Sequence, residues 1–326
     1  MASLSEDALI ARHFAPLAGA GGLGLKDDVA LLAPTPRHDL VVTADGIVAG
    51  VHFFPDDPPA SIGRKALAVN LSDLAAKGAT PAGFVLTLAL PEGWTENWLA
   101  GFCEGLGDAA REFGCPLIGG DTVRTPGPLS ISITALGEVP AGRMVRRTTA
   151  RAGDVLCVTG TIGDAALGLA LREAPAWVSA LSEADRAHLA DRYLHPRPRL
   201  ALTAALREHA RAAMDVSDGL AGDLSKMMGT SGTTAVVEAP AVPLSAAARA
   251  ALAGEPALFE RVVTGGDDYE ILCAVPPERE AAFAAAAAAA GVPLSTIGRV
   301  EAGEGLPLFR DGGREWRYER GSFSHF

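Results

Sequence analysis

Aspartates recur in this chain where strand-like runs give way to loops or helices. "KDDVALL" holds Asp27 and Asp28, "VVTADG" Asp45, "LIGGDT" Asp121 and "AMDVSDG" Asp215 and Asp218, while "NLSDLAAKGA" sets Asp73 within a helical stretch. Carboxylates delivered from several strand ends form a negative cup, and Mg²⁺ favours hard oxygen ligands while bridging to phosphate oxygens. Each aspartate also has a plain structural reading. Asp73 precedes Lys77 by four residues, the spacing of an ordinary helix salt bridge. Ser217 or Asp218 could cap the helix that follows, and Asp45 and Asp121 adjoin residues typical of turns. The chemistry rests on the set rather than on any one member.

Charge points the same way. Among 326 residues, 39 are Asp or Glu and 28 are Lys or Arg, a formal net charge of −11, with no basic run. That balance argues against a nucleic-acid surface and leaves an anionic ligand in need of a bridging cation. Familiar nucleotide signatures fail: "GAGGLG" (19–24) matches G-x-G-x-x-G in letters, but a helix-like run precedes it and a strand-like run follows, the reverse of what that fingerprint needs. Neither a P-loop nor a G-x-S-x-G elbow occurs.

The elements that must position the aspartates read as mixed α/β. "DVALLA" (28–33), "DLVVTAD" (39–45), "GFVLTLAL" (83–90) and "PLSISITALGEV" (128–139) are strand-like, whereas 60–79 and 95–114 carry apolar residues at helical spacing, the second opening on Thr95 as N-cap. After the polar, basic stretch "PAGRMVRRTTARAGD" a strand begins at 155–160, which sets the domain boundary near 140–152 and divides the chain into 1–140 and 141–326. Helices are expected at 163–172, 182–193 and 198–210, then a strand into Asp215, a helix from Asp218, a strand at 269–275 and an alanine-rich surface helix over 281–290. Cys103, Cys115, Cys157 and Cys273 lie far apart without a C-x-x-C pair, so they read as reduced packing residues. "MASLSEDALIARHF" has acids where a signal peptide needs a basic head, and no apolar run is long enough to span a bilayer, so a soluble cytoplasmic protein is expected.

Taken together, "DDVALL", "TADGIVAGVHF", "KALAVNLSDLAAKGATP", "LIGGDT", "GDVLCVTGTIGDAALGL", "DVSDGL" and "GGDDYEIL" resemble the thiamine-monophosphate kinase family, within the superfamily of aminoimidazole ribonucleotide synthetase. The resemblance runs from "LIARHF" (9–14) to the terminal "HF" (325–326). It implies an N-terminal domain that pairs with its twofold mate, a C-terminal α/β domain, and ATP between them. It implies metal ligands at Asp28, Thr43, Asp45, Asp73, Asp121, Asp215 and Asp218, and ATP contacts at Gly120, Asp121, Arg147 and Ser217. His52 and Asp267 would meet the substrate, with Trp316 the first choice among Trp316, Tyr318 and Phe323 for an aromatic cover. Lys26 stands where the family usually has glycine, Ala44 where a second hydroxyl is common, and Asp267 where Glu is usual. The implied activity is Mg²⁺-assisted transfer of a phosphoryl group from ATP to thiamine monophosphate by a homodimer. A ring-closing synthetase of the same superfamily and a catalytically silent nucleotide-binding protein are the alternatives. The missing early cysteine and the "GSFSHF" end argue against selenophosphate synthetase and against the hydrogenase maturation factor.

Overall fold

The computed structural model describes residues 5–322. They form two compact units, one from the chain up to Leu74 with Ala79–Gly142, the other from Ala75–Gly78 with the chain from Arg143 onward.

In the first unit a helical turn, α1 (Glu6–Leu9), leads into β1 (His38–Val48), α2 (Pro59–Ala76), β2 (Thr80–Pro91), α3 (Glu96–Phe113), β3 (Leu117–Thr125) and β4 (Ser130–Pro140). The strands make one sheet in the order β1-β4-β2-β3, with β2 and β3 parallel and the other pairs antiparallel. Alternation along β2 sends Phe84, Leu86, Leu88 and Leu90 into the core. Helix α3 starts as expected, with the Thr95 hydroxyl accepting the Trp98 amide at 3.2 Å. It buries the stripe Leu99, Phe102, Cys103, Leu106 and Ala110, and it stops at left-handed Gly114. α2 and α3 cross at glycines: a Cβ on Gly105 would lie 1.9 Å from the Ala60 carbonyl oxygen, and one on Gly63 would lie 2.2 Å from that of Phe102.

The strand expected over 28–33 does not form. The Leu31 amide donates to the Gly21 carbonyl at 2.8 Å, and Val29 and Leu31 are 66% and 68% exposed. β-type composition yields a strand only where a neighbouring strand takes up its backbone groups, and among the described residues this segment pairs with none.

The second unit contains β5 (Val155–Thr159), α4 (Asp164–Ala170), α5 (Glu183–Leu194), α6 (Thr203–His209), β6 (Ala212–Val216), α7 (Leu220–Ser231), β7 (Thr233–Glu238), α8 (Ala246–Gly254), α9 (Leu258–Thr264), β8 (Glu270–Val275), α10 (Glu280–Ala289), β9 (Leu294–Ala302), β10 (Leu308–Asp311) and β11 (Arg314–Trp316). Its sheet runs β11-β10-β7-β9-β5-β8-β6. Both faces are covered, as the alternation along β5 and β8 requires. Leu156, Val158, Leu272 and Ala274 join a core with α4, α5, α7, α8 and α9, while Cys157, Ile271, Cys273 and Val275 join one with α6, α10 and the end of α2. The alanine-rich helix is α10, anchored by buried Phe283 and Ala287.

Two expected boundaries shift. The helix placed over 198–210 is a 3₁₀ turn, Leu200–Leu202, followed by α6. The helix placed from Asp218 begins at Leu220 behind Gly219, whose φ is 114° and where no side chain caps it. All four cysteines are free and buried, and burial pushes the Cys103 and Cys115 thiols up to about 12. No helix among the described residues is long and apolar enough to cross a membrane.

Candidate functional site

In the first unit the candidate residues gather on β1 and the face of α2 beside it. Alternation along β1 puts Thr43 and Asp45 on one side and Leu40, Val42 and Ala44 on the other. The Thr43 hydroxyl donates to Asp73 Oδ2 at 2.5 Å, and the Asp45 amide donates to Asn70 Oδ1 at 3.0 Å. Asn70 is fully buried and donates its own amide to the Ala66 carbonyl at 3.0 Å. It therefore fixes β1 against α2 and sets Asp45, Thr43 and Asp73 side by side. Asn70 was not among the expected residues, although an amide inside the apolar run "KALAVNLSDLAA" was the available signal.

Just past β1, His52 Nδ1 accepts the Val48 amide at 3.0 Å. A neutral ring in that arrangement carries its proton on Nε2, which makes that nitrogen a donor. The His52 carbonyl in turn accepts from Lys65 Nζ at 3.1 Å.

Asp121 stands apart from this group. Its cross-strand row runs through Thr87 and Ser132 to Gly46, one residue beyond Asp45 and on the other face of the sheet. β1 and β3 are the two edges, three strand spacings or about 14 Å apart. Gly120, beside Asp121, approaches β2 so closely that a Cβ would lie 2.0 Å from the Leu86 carbonyl oxygen, and no other residue fits there. Asp28 and Lys26 are exposed on the segment between the early turns and β1.

In the second unit the candidates meet at the end of β6. Asp215, 6% exposed, pairs in register with Ile271 of β8, and the chain then turns through Ser217–Gly219 into α7. The loop Gly265–Tyr269 lies against this turn, with the Asp267 amide on the Ser217 carbonyl and the Tyr269 amide on that of Val216, each at 2.8 Å. A Cβ on Gly266 would lie 2.4 Å from the Ser217 carbonyl oxygen. Asp267 and Tyr269 both adopt left-handed backbone, φ 74° and 51°, a costly state that survives only where surroundings over-determine it.

Those surroundings are a buried charge network. The Gly163 amide donates to both Asp268 oxygens at 2.9 Å, Arg192 donates to Glu270 at 2.9 Å, and Arg199 Nε donates to Glu270 at 2.6 Å. Burial, reinforced by the neighbouring Asp164 and Glu270 carboxylates, holds the Asp268 carboxyl well above its ordinary range, against the Gly163 amide and Arg192. So Asp215, Ser217, Asp218 and Asp267 come together as one rigid corner.

Two further residues were missed here. Asp223 is wholly buried in α7, and its Oδ2 accepts the amides of Ser217 and Asp218 at 3.0 and 2.9 Å. Lys226 donates to Asp223 Oδ1 at 2.9 Å and also to Asp218 Oδ2. The pairing of Asp223 with Lys226 three residues on was legible as a helical ion pair. Burial raises the Asp223 carboxyl above its ordinary value, opposed by Lys226.

Arg147 is exposed on a stretch tied to β6, where the Ala213 amide donates to the Arg146 carbonyl at 3.3 Å. Trp316 lies in an aromatic group, its centroid 6.3 Å from Phe309, 6.5 Å from Phe259 and 6.5 Å from Tyr318, with the Arg314 guanidinium 6.0 Å over its ring. Phe323 and the "HF" end lie outside the described residues.

Among the described residues no three His, Cys, Asp or Glu side chains converge as a metal site on their own. The donors are nevertheless all carboxylate and hydroxyl oxygens, set on β1, α2, β3, the segment before β1 and the end of β6 with its turn, and such a set suits Mg²⁺ and not a thiophilic metal.

Two sequence profiles match the chain, AIR synthase related protein, N-terminal domain, over residues 26–139, and AIR synthase related protein, C-terminal domain, over 151–310. Within that class, a thiamine-monophosphate kinase of Caulobacter vibrioides is 44% identical over 308 residues, covering 93% of this chain and 86% of the relative. A crystal structure of thiamine-monophosphate kinase from Stenotrophomonas maltophilia K279a superposes with TM-score 0.79 at 43% identity, over 87% of this chain and 89% of that one. A structure described as AaThiL complexed with AMPPCP and TMP gives TM-score 0.75 at 30% identity, over 90% and 91%. The chain belongs to the thiamine-monophosphate kinase family of AIR synthase related proteins.

Proposed function

We propose that this chain transfers the terminal phosphoryl group of ATP to thiamine monophosphate, giving thiamine diphosphate and ADP. What carries the reading is kinship over nearly the whole chain, joined to the oxygen donors that β1 and α2 hold side by side. The acceptor is a phosphate oxygen, which is largely ionised near neutral pH because the second pKa of a phosphate monoester is about 6. No side chain has to remove a proton. The protein's task is alignment and charge neutralisation.

His52 offers Nε2–H to a phosphate. The Ser217 amide is already held by Asp223, so the hydroxyl is the group Ser217 offers the nucleotide. The backbone of Gly120, beside Asp121, and the planar fork of donors on Arg147 would meet the nucleotide. Asp267, pinned in its left-handed conformation, meets the acceptor, and Trp316 covers its ring system. Mg²⁺, held by Asp28, Thr43, Asp45, Asp73, Asp121, Asp215 and Asp218, would neutralise the two phosphate chains. We place the reaction in the cytoplasm, where four reduced cysteines are at home.

The working form is a homodimer built on the first unit, residues 1–140, with 141–326 as its α/β partner domain. β1 is a sheet edge whose outer face exposes Leu40 and Val42 at 48% and 56%, an arrangement that a twofold mate would cover. Pairing β1 of one copy with the β3 edge of its mate would also bring one copy's Asp121 towards the other's Asp45.

The test is direct. Purified protein with ATP and Mg²⁺ should form ADP and thiamine diphosphate in step with added thiamine monophosphate, and free thiamine should not substitute. Equal turnover with free thiamine would overturn the assignment.

A further inference from the structure

Asp218 already has a cation on it. Lys226, two turns into α7, donates to Asp218 Oδ2 and to Asp223 Oδ1, and the two side chains of the Lys226–Asp218 pair are 39% and 38% exposed. Asp223 is the fixed point of the arrangement. One of its oxygens pins the backbone of the Ser217–Asp218 turn and the other holds the ammonium, inside a helix that buries Asp223 completely. Burial alone would pull the Lys226 ammonium down, but hydrogen bonds and charge from Asp218 and Asp223 outweigh it and hold its pKa above the ordinary value.

We propose that Lys226 is a built-in competitor for the Asp218 carboxylate, so that a divalent cation gains that ligand only by displacing the ammonium. The inference rests on Asp218 as a cation ligand. A lysine suits the role because its charge sits on a flexible four-carbon stem. Its head is open enough to solvent to swing away from Asp218 while keeping Asp223. The occupied corner carries one negative charge fewer than its carboxylates alone would give, which lowers cation affinity. On this account α7 sets the cation concentration the site requires, through the ammonium of Lys226.

The experiment is a Mn²⁺ titration read by the electron paramagnetic resonance of free Mn²⁺, with a saturating non-hydrolysable ATP analogue and no turnover. Lys226→Met should bind Mn²⁺ more tightly than wild type, by on the order of fivefold, the scale of a half-exposed ion pair. Lys226→Gln, which keeps a hydrogen bond for Asp223 without the charge, should do the same and guards against a folding defect in the Met variant. Lys226→Arg should stay near wild type. In an Asp218→Asn background Lys226→Met should bring no further change. If Asp218→Asn alone leaves Mn²⁺ binding intact, the ligand reading falls and takes this inference with it. If Asp218→Asn weakens binding but Lys226→Met and Lys226→Gln are no tighter than wild type, the competition alone is refuted and the kinase reading stands.

Discussion

Asp45 and Asp121 are both exposed carboxylates, yet they stand on opposite edges and faces of one sheet. Replacing either by Asn should lower turnover by orders of magnitude while circular dichroism stays unchanged, since a lost ligand charge weakens the cations that neutralise the transition state. Raising Mg²⁺ should recover part of the rate; near-wild-type rates in both variants would mean that these two aspartates, each inside a strand rather than in the turn that its neighbours suggested, hold no cation. At this scale the recurring aspartates were legible along the chain, and the fold gathers them in groups, Thr43, Asp45 and Asp73 in one and Asp215 and Asp218 in another, with Asp121 apart. The sequence was silent about what holds them. Asn70, Asp223 and Lys226 act through hydrogen bonds to backbone or to other side chains brought close by folding, and only the Asp223–Lys226 spacing is local enough to read along the chain. Lys26, the residue least expected beside the Asp27–Asp28 pair, is exposed. Lys26→Gly should therefore leave the Mg²⁺ dependence of the rate almost unchanged; a clear shift in its midpoint would mean the ammonium reaches the site.

Helices and central strands followed their periodicity, and the misreadings have local causes. Residues 28–33 have strand composition but no partner strand among the described residues, and pairing is a property of the neighbour as much as of the segment. Among the strands that escaped notice, β10 and β11 are only four and three residues long, β7 and β9 are not short, and β9 takes an irregular step against β5 between Leu156 and Cys157. A Cβ on Gly298 would lie 2.0 Å from the Val236 carbonyl oxygen, so that glycine marks a close strand approach rather than a break. The crossing of α2 and α3 gives a test at the same scale. Gly105→Ala must push the Ala60 backbone away, and overpacking of that kind costs about 1–3 kcal/mol. Urea unfolding should show a lower midpoint at unchanged slope, whereas Ala substituted at Gly114, where nothing lies within 4 Å of a Cβ, should pay only for its left-handed φ of 63°. Equal losses at the two positions would mean that the helices part freely.

For the molecule as a whole, the expectation of two α/β units and an acidic, cation-bridged anion site came from composition and ordered motifs, whereas the separation of Asp45 from Asp121 appeared only with the sheet order. That separation makes the dimer testable through function. Asp45→Asn and Asp121→Asn chains, each nearly inactive alone, should regain activity when unfolded and refolded together, because a mixed pair would contain one site with both carboxylates intact. No recovery, from material that sediments as a dimer, would show that each site draws both aspartates from one chain. Leu40→Glu should shift the protein towards monomer in sedimentation and lower its activity with it. The buried cysteines have a separate bearing on how such a protein ages. A thiol with a pKa of about 12, as at Cys103 and Cys115, is ionised in roughly one molecule in 10⁵ at pH 7, against a few per cent for an ordinary thiol. Peroxide and alkylating agents thus find almost nothing to attack at these two positions while the fold is closed. Thiol modification there becomes a clock for unfolding, recording each opening of the first unit's core as a permanent chemical mark.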